Sequence, residues 1–273
     1  MVFVGVDLAW GPRATTGLCA LEDGLVVDSA QRRDLGEVAG WIASRASGPC
    51  VVAIDAPIIV PNASGRRPCE GAITRCFGGH GAGAHPSNTS LRAFREGVRA
   101  RLLADALGLD VDPGWPPGTP VRRAIEVYPH PALVALFGLE RTPPYKAKRG
   151  RSLESRRRAL LEVLDHLVSL RSLDPPADVT ACPRWARLHA VVSTTRVAAE
   201  MSRAEDEIDA YLCAYIGLYY WTHGSARCRV VGDVATGYIV TPTSEAQAAC
   251  LDELASRAPL RARPEVASPR RGA

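Results

Sequence analysis

The sequence predicts an α/β fold built on a mixed five-stranded sheet, in which a three-strand antiparallel meander is followed by two parallel strands and helices flank the sheet. Three observations predict this fold class. Three short β-prone runs near the N-terminus are separated by turns, two later apolar runs are continuous like strands buried on both faces, and helical spacing of apolar residues fills the segments between them. With 273 residues, 47% hydrophobic, the chain is long enough for one large domain.

The meander comes from residues 2–30, which contain the runs VFVGVDLAW, TGLCALED and LVVDSAQ. Turns are expected at Gly11-Pro12 and at Asp23-Gly24, and the second dipeptide is a strong hairpin signal. The stretch DLGEVAGWIASRAS then spaces its apolar residues at helical intervals, and CVVAIDAPIIV follows as the fourth strand. The predicted order of elements is therefore β-β-β-α-β.

A large insertion is predicted between strands 4 and 5, over residues 61–121, which are rich in Gly, Pro and Arg and contain one predicted helix. RRAIEVYPHP supplies the fifth strand, and ALVALFGL and SLESRRRALLEVLDHLVSL are helices. The last helix is SRAEDEIDAYLCAYIGLYYWTHG, for which we expect a capping box at Ser202 and Glu205 and a stop at Gly224. We predict one domain over residues 1–254 and a disordered tail over 255–273.

The overall composition limits the classes of function that the chain can have. Eight Cys residues without a CxxC motif do not look like a disulfide framework, and the N-terminus lacks the pattern of a secretory signal, so we expect a reducing cytoplasm. No apolar run approaches the roughly 20 residues needed to span a bilayer, so no membrane role is expected. The net charge of +4 is too small to indicate nucleic-acid binding by itself.

Carboxylates follow three of the predicted strands, as Asp7, Asp55 and Glu126. Any one of them could be a turn former or a helix cap, but a carboxylate at a buried strand end is costly unless it is hydrogen-bonded, paired or bound to a metal. Asp206 and Asp209 are three residues apart on the last helix and share one of its faces. Because Mg²⁺ or Mn²⁺ takes several oxygen ligands in a small space, the pattern predicts a divalent-metal site.

This order of elements and acids resembles the ribonuclease-H-like fold, in which acids on the first strand, the fourth strand and the last helix hold two metals. Over roughly residues 3–242 the chain is similar to the predicted RNase-H-like nuclease family catalogued as domain of unknown function 429. The stretches that carry the similarity are VGVDLAW, VAIDAPI, RRPCE, AIEVYPHPAL, YKAKRG, EDEIDAYLCAY and GYIVTP. DEIDA also resembles the paired acids of Holliday-junction resolvases.

The resemblance implies a metal-dependent nuclease that uses Mg²⁺ or Mn²⁺ and acts on nucleic acid, whether RNA, DNA or branched DNA. The implied catalytic acids are Asp7, Asp55, Glu126, Asp206 and Asp209, and all of them except Glu126 are implied metal ligands, with Asp7 bridging two ions. Asp55 already fills the role of the middle acid. Glu126 is therefore open to a second interpretation, in which it contacts a substrate group or a basic partner.

Basic side chains near the acids are candidates for binding the phosphates of a substrate, although each could equally belong to a solvated loop. Those selected are Arg66, Arg75 and Lys146. Between Arg66 and Lys146, the stretch CEGAITRCFGGHGAGAH contains four candidate zinc ligands, and their spacing fits no common zinc finger. These ligands are Cys69, Cys76, His80 and His85. The Gly-rich part of this stretch is expected to form a flap over the site.

Two other functions remain open from the sequence. An actin-like or sugar-kinase-like ATPase would share the meander, but it requires a Gly/Thr-rich phosphate turn after the first acid and a second copy of the domain, and DLAWGPRATTG is a poor version of that turn. A non-catalytic module with the ribonuclease-H-like fold could bind nucleic acid or protein without turnover.

Overall fold

A computed structural model describes residues 1–11 and 14–257. The strands are β1 Val2–Asp7, β2 Thr16–Glu22, β3 Leu25–Arg32, β4 Cys50–Ile54, β5 Arg122–Glu126, β6 Cys228–Asp233 and β7 Gly237–Pro242. The helices are α1 Leu35–Ala43, α2 Pro68–Phe77, α3 Arg99–Ala106, α4 Pro129–Phe137, α5 Leu153–Ser169, α6 Trp185–Thr194, α7 Ala198–His223 and α8 Glu245–Arg257. Short 3₁₀ turns connect several of them.

The main sheet has five strands in the order β3-β2-β1-β4-β5. β1, β2 and β3 pair antiparallel, whereas β4 pairs parallel with β1 and β5 pairs parallel with β4. The hairpin between β2 and β3 turns at Asp23 and Gly24, which both have positive φ, as the Asp-Gly signal requires. The α/β class and the mixed five-stranded sheet predicted from the sequence are confirmed.

Helices cover both faces of this sheet because its strands alternate their side chains between two apolar cores. On one face Phe3, Val51 and Ile125 pack with α5 and α7. On the other face Val4 and Val52 pack with α1 and α3. Odd-numbered residues of β1, β4 and β5 therefore face α7, which decides where the acids at the strand ends point.

The structure corrects several predicted boundaries. α7 begins at Ala198, so Ser202 and Glu205 lie inside the helix and the predicted capping box is wrong, whereas the predicted stop at Gly224 is confirmed. Residues 255–257, assigned to the tail, are the end of α8, and residues 258–273 lie outside the described part of the chain. The insertion of residues 61–121 contains α2 and α3, and the small sheet of β6 and β7 was not predicted.

A disulfide joins Cys76 on α2 to Cys250 on α8, across 174 residues of sequence. The cysteine spacing gave no sign of this pair. The other six cysteines are free and buried. Within residues 1–11 and 14–257, none of the helices combines the length and the apolar character that crossing a bilayer needs.

Candidate active site

Asp7 and Asp55 are neighbours at the carboxyl ends of two parallel strands. Val6 is in register with Ile54, and the Asp55 amide donates to the Val6 carbonyl at 2.8 Å. By the alternation of the strands, both acids belong to the face that α7 covers. The strand pattern that predicted these two carboxylates therefore also puts them on one face of the sheet.

Two glycines let α7 approach this face at backbone distance. A Cβ at Gly5 of β1 would overlap the carbonyl oxygen of Ala210, and one at Gly17 of β2 would overlap the carbonyl oxygen of Asp206. Gly17 is also the register partner of Asp7. Because a side chain at either position would push the helix away, these glycines fix how closely Asp206 and Asp209 lie to the strand-end acids.

The acids surround one end of an open cavity of about 490 Å³, which Asp7, Asp55 and Asp206 line. Burial raises the pKa of Asp7 to about 7, with the Lys146 ammonium opposing the shift and the Asp209 charge adding to it. Burial, together with the charge of Asp7, raises the pKa of Asp206 to about 8 and that of Asp55 well above its usual range. The negative charge of Asp7 thus raises the pKa of both neighbouring carboxyls, as expected for like charges in one small site.

Lys146, from the segment between α4 and α5, supplies the cation of this cluster. Its Nζ is ion-paired with Asp209, lies 3.3 Å from an oxygen of Glu205 and 3.7 Å from one of Asp7. Burial alone would lower the pKa of Lys146, but the charges of Asp209 and Asp7 hold it well above its ordinary value. The ammonium is therefore charged and sits among the acids.

The donor chemistry of the cluster fits a hard divalent cation. Among the described residues, the side chains of Asp55 and Asp206 accept no hydrogen bond and make no ion pair. Partly buried carboxylates without partners are destabilising, and Mg²⁺ or Mn²⁺ would neutralise them through oxygen ligands. As the side chains stand, however, no group of three or more His, Cys, Asp or Glu within the described ranges is arranged to hold a metal. Binding a metal therefore requires side chains to move.

Glu126 has a different environment from the other acids. Glu126 is the register partner of Ile54 in the parallel pair of β4 and β5, and the Ile54 side chain packs on the face of the sheet opposite to α7. Its carboxylate accepts from both terminal nitrogens of the buried Arg67, at 2.6 and 2.9 Å, and from the Ile58 amide. Arg67 also pairs with Glu70. Although burial raises the pKa of Glu126, the Arg67 guanidinium opposes that shift.

The predicted basic residues are not all brought to the acids. Lys146 lies among the acids. Arg66 is exposed, and Arg75 lines a separate cavity of about 650 Å³ beside β6 and α8. Of the four candidate zinc ligands, Cys76 is in the disulfide, so its sulfur is not free to bind a metal. The predicted flap does line the acidic cleft, through Gly81, Gly83, Ala84 and His85.

Four further residues belong to this site and are not among the site residues predicted from the sequence. Glu205 pairs with Arg156 of α5 at 2.9 Å, and the Tyr145 hydroxyl donates to Asp209 at 2.8 Å. His130 lines the cleft, and burial together with the positive charge of Lys146 lowers its pKa to about 3. His130 lies within the YPHP motif and Tyr145 begins the YKAKRG motif, so both had a signal in the sequence, whereas Arg156 lies in an ordinary amphipathic helix.

Comparison with known proteins adds one finding to this geometry. No curated protein and no solved structure matches the chain significantly. A family model described as Protein of unknown function (DUF429) matches residues 5–235, which include the end of β1 with Asp7, all of β4, β5 and α7, and thus every acid of the cleft. The chain belongs to the DUF429 family of proteins of unknown function.

Proposed function

We propose that this protein is a divalent-metal-dependent phosphodiesterase with a ribonuclease-H-like fold, acting on nucleic acid. The observation that carries the proposal is the convergence of Asp7 and Asp55 from two parallel strands with Asp206 from α7 around one open cleft. The buried Asp209 of α7 joins this cluster through Lys146, which contacts both Asp209 and Asp7. The strand order, with acids on the first and fourth strands and on the long late helix, supports the same assignment.

The proposal assigns a task to the four aspartates and to two residues that surround them. Asp7, Asp55 and Asp209 would hold Mg²⁺ or Mn²⁺, and Asp206 would assist them directly or by contact with a ligand. Ions bound there would activate the attacking water and neutralise charge on the phosphate. Lys146 lines the cleft and offers an ammonium to a phosphate oxygen. The Tyr145 hydroxyl fixes the orientation of the Asp209 carboxylate.

The test is a cleavage assay on labelled single-stranded RNA, single-stranded DNA, duplex DNA and a four-way junction, in Mg²⁺, Mn²⁺ or EDTA. We expect cleavage of at least one substrate only with metal, and a loss of at least about 100-fold in Asp7→Asn and Asp209→Asn. Glu162→Gln, at an exposed position of α5, is the matched control for removing one acid. Cleavage that survives EDTA and both Asp variants would reject the proposal.

One observation favours a second function, a non-catalytic nucleic-acid-binding or protein-binding module. The Lys146 ammonium already compensates part of the acidic charge, so the fold can persist without metal. Fluorescence anisotropy with the same substrates separates the two functions. A module would bind in EDTA and leave every substrate intact with metal present.

The cytoplasm is the location we propose, because six of the eight cysteines are free. The disulfide between Cys76 and Cys250 is the observation against it, since such bonds are rare in reducing compartments. Alkylation of the protein in intact cells, followed by mass spectrometry, tests the location. Free Cys76 and Cys250 in the cellular protein are the expected result, and an oxidised pair would indicate an oxidising compartment.

A further inference from the structure

The ammonium of Lys146 occupies the position that a metal ion shared by Asp7 and Asp209 would need. It contacts both of these carboxylates as well as Glu205, and Asp209 is 1% exposed, so its oxygens have little room for a second cation. Two cations held by the same buried carboxylates repel each other strongly where the effective dielectric constant is low. Divalent metal and this placement of Lys146 are therefore mutually exclusive.

The choice of a lysine at this position is unusual for the chain. Of its 33 Lys and Arg residues, only Lys146 and Lys148 are lysines. The other buried carboxylates are held by arginine: Glu126 by Arg67, and Glu207 by Arg184 through two hydrogen bonds of 2.9 and 3.0 Å. Arginine forms rigid two-pronged pairs, whereas a lysine ammonium is a point charge on a flexible stem.

The backbone around Lys146 is held in place, so exchange has to involve its side chain. Arg151 donates to the Lys146 carbonyl at 2.9 Å, and Arg156 donates to the Tyr145 carbonyl at 3.0 Å. The Lys146 side chain is 27% exposed and lines the cleft, which gives it an open direction in which to turn. Rotation about its side-chain bonds would carry the ammonium from the acids into the cleft without moving the loop.

We propose that Lys146 is an exchangeable internal cation. It neutralises the acidic cluster in the metal-free protein and leaves when a divalent ion binds, which places its ammonium in the cleft where a substrate phosphate would lie. The inference rests on the metal binding of the proposed function, but it concerns the competition between Lys146 and the metal rather than cleavage itself. The internal cation weakens metal binding and keeps the metal-free protein folded.

The first test measures Mn²⁺ affinity by calorimetry and by electron paramagnetic resonance of free Mn²⁺, without any substrate. Lys146→Met should bind Mn²⁺ at least about tenfold more tightly than the unaltered protein, because no ammonium has to be displaced. Lys146→Arg, which keeps the charge, should not bind more tightly. Lys148→Met is the matched control, because it removes the other, exposed lysine. Equal or weaker Mn²⁺ binding by Lys146→Met would overturn the inference.

The second test uses the unaltered protein, so it does not depend on whether Lys146→Met folds. With lysine labelled by ¹³C at Cε, the chain gives two signals, one for each lysine. Mg²⁺ should shift the Lys146 signal toward that of a solvated lysine, with the same midpoint as Mg²⁺ binding in calorimetry, and leave the Lys148 signal in place. Binding of Mg²⁺ with no change at Lys146 overturns the exchange alone, whereas absence of metal binding overturns both the exchange and the proposed function.

Discussion

Gly17 of β2 lies directly against Asp206 of α7, so closely that a Cβ at Gly17 would overlap the Asp206 carbonyl oxygen. The obstacle is backbone rather than a flexible side chain, and therefore the helix itself would have to move. Asp206 reaches the strand-end acids because β2 carries no side chain at this point.

We therefore expect Gly17→Ala to destabilise the protein by at least about 3 kcal/mol, the upper range for overpacking a core. Any surviving folded protein should bind Mn²⁺ more weakly, since α7 would be displaced. Gly40→Ala is the matched control: Gly40 lies in α1 with open space around its Cα, so this change should stabilise the protein by about 0.4–1 kcal/mol. Urea unfolding and Mn²⁺ titration measure both effects. An equally stable Gly17→Ala protein would mean that α7 does not constrain β2.

The pair between Arg67 and Glu126 makes a separate prediction about the role of Glu126. Removing one partner of a buried ion pair leaves the other charge without compensation, so Arg67→Met should cost about 3–5 kcal/mol of stability. Glu126→Gln should also destabilise the protein, but the Mn²⁺ affinity of the folded protein should stay within about twofold, because Glu126 faces Arg67. Weakening of Mn²⁺ binding by an order of magnitude in Glu126→Gln would instead make Glu126 a metal ligand.

The lowered pKa of His130 predicts how the stability of the protein depends on pH. Its pKa in the folded protein is about 3, because burial and the nearby Lys146 charge disfavour the imidazolium, against an ordinary value near 6.5 in the unfolded chain. As the pH falls below about 6.5, His130 takes up a proton in the unfolded state but stays neutral in the folded state. This contribution therefore lowers the free energy of unfolding by about 1.4 kcal/mol per pH unit between roughly pH 6 and pH 3.

The measurement is urea unfolding at pH 7 and pH 5 in EDTA, for the unaltered protein and for His130→Gln. The unaltered protein should lose about 2 kcal/mol more than the variant between the two pH values. His189→Gln, at an exposed position, should follow the unaltered protein. If His130→Gln and the unaltered protein lose the same stability, then His130 is protonated in the folded protein as readily as in the unfolded chain. Solvent would then reach His130 more freely than its burial indicates.

Local pattern was enough to predict the parts of the site that lie on regular elements. Asp7 and Asp55 end apolar runs, so their position at the edge of a parallel pair follows from the strands alone, and the three-residue spacing of Asp206 and Asp209 follows from the helix.

Contacts between distant segments could not be predicted in this way. The adjacent Arg66 and Arg67 look alike in sequence, yet Arg66 is exposed and Arg67 is 1% exposed, because only Arg67 reaches Glu126. Ser202 and Glu205 have the spacing of a capping box, but Arg156 from α5 binds both side chains within the helix. In each case a partner more than 40 residues away decides the role of a residue whose local signal points elsewhere.

The last prediction concerns Asp55, whose carboxylate has no hydrogen bond or ion pair among the described residues. Burial and the charge of Asp7 raise its pKa, so its ionised form is unfavourable in the metal-free protein. Asp55→Asn removes that charge with little change of shape. In EDTA at pH 8 it should therefore stabilise the protein, by about 1 kcal/mol or more, in contrast to the loss expected for an acid with a structural partner.

With divalent metal present, the unaltered protein should become more stable than Asp55→Asn. A ligand that binds only the folded state stabilises it by mass action, so Mn²⁺ at 100 times its Kd should add about 2.7 kcal/mol to the unaltered protein. Asp55→Asn should lose most of that gain because it lacks one ligand of the site. Asp105→Asn, an exposed acid on α3, should gain as much as the unaltered protein. If Asp55→Asn is destabilised in EDTA and Mn²⁺ raises the melting temperature of neither protein, then Asp55 has a structural role and the metal-dependent phosphodiesterase gives way to the binding module.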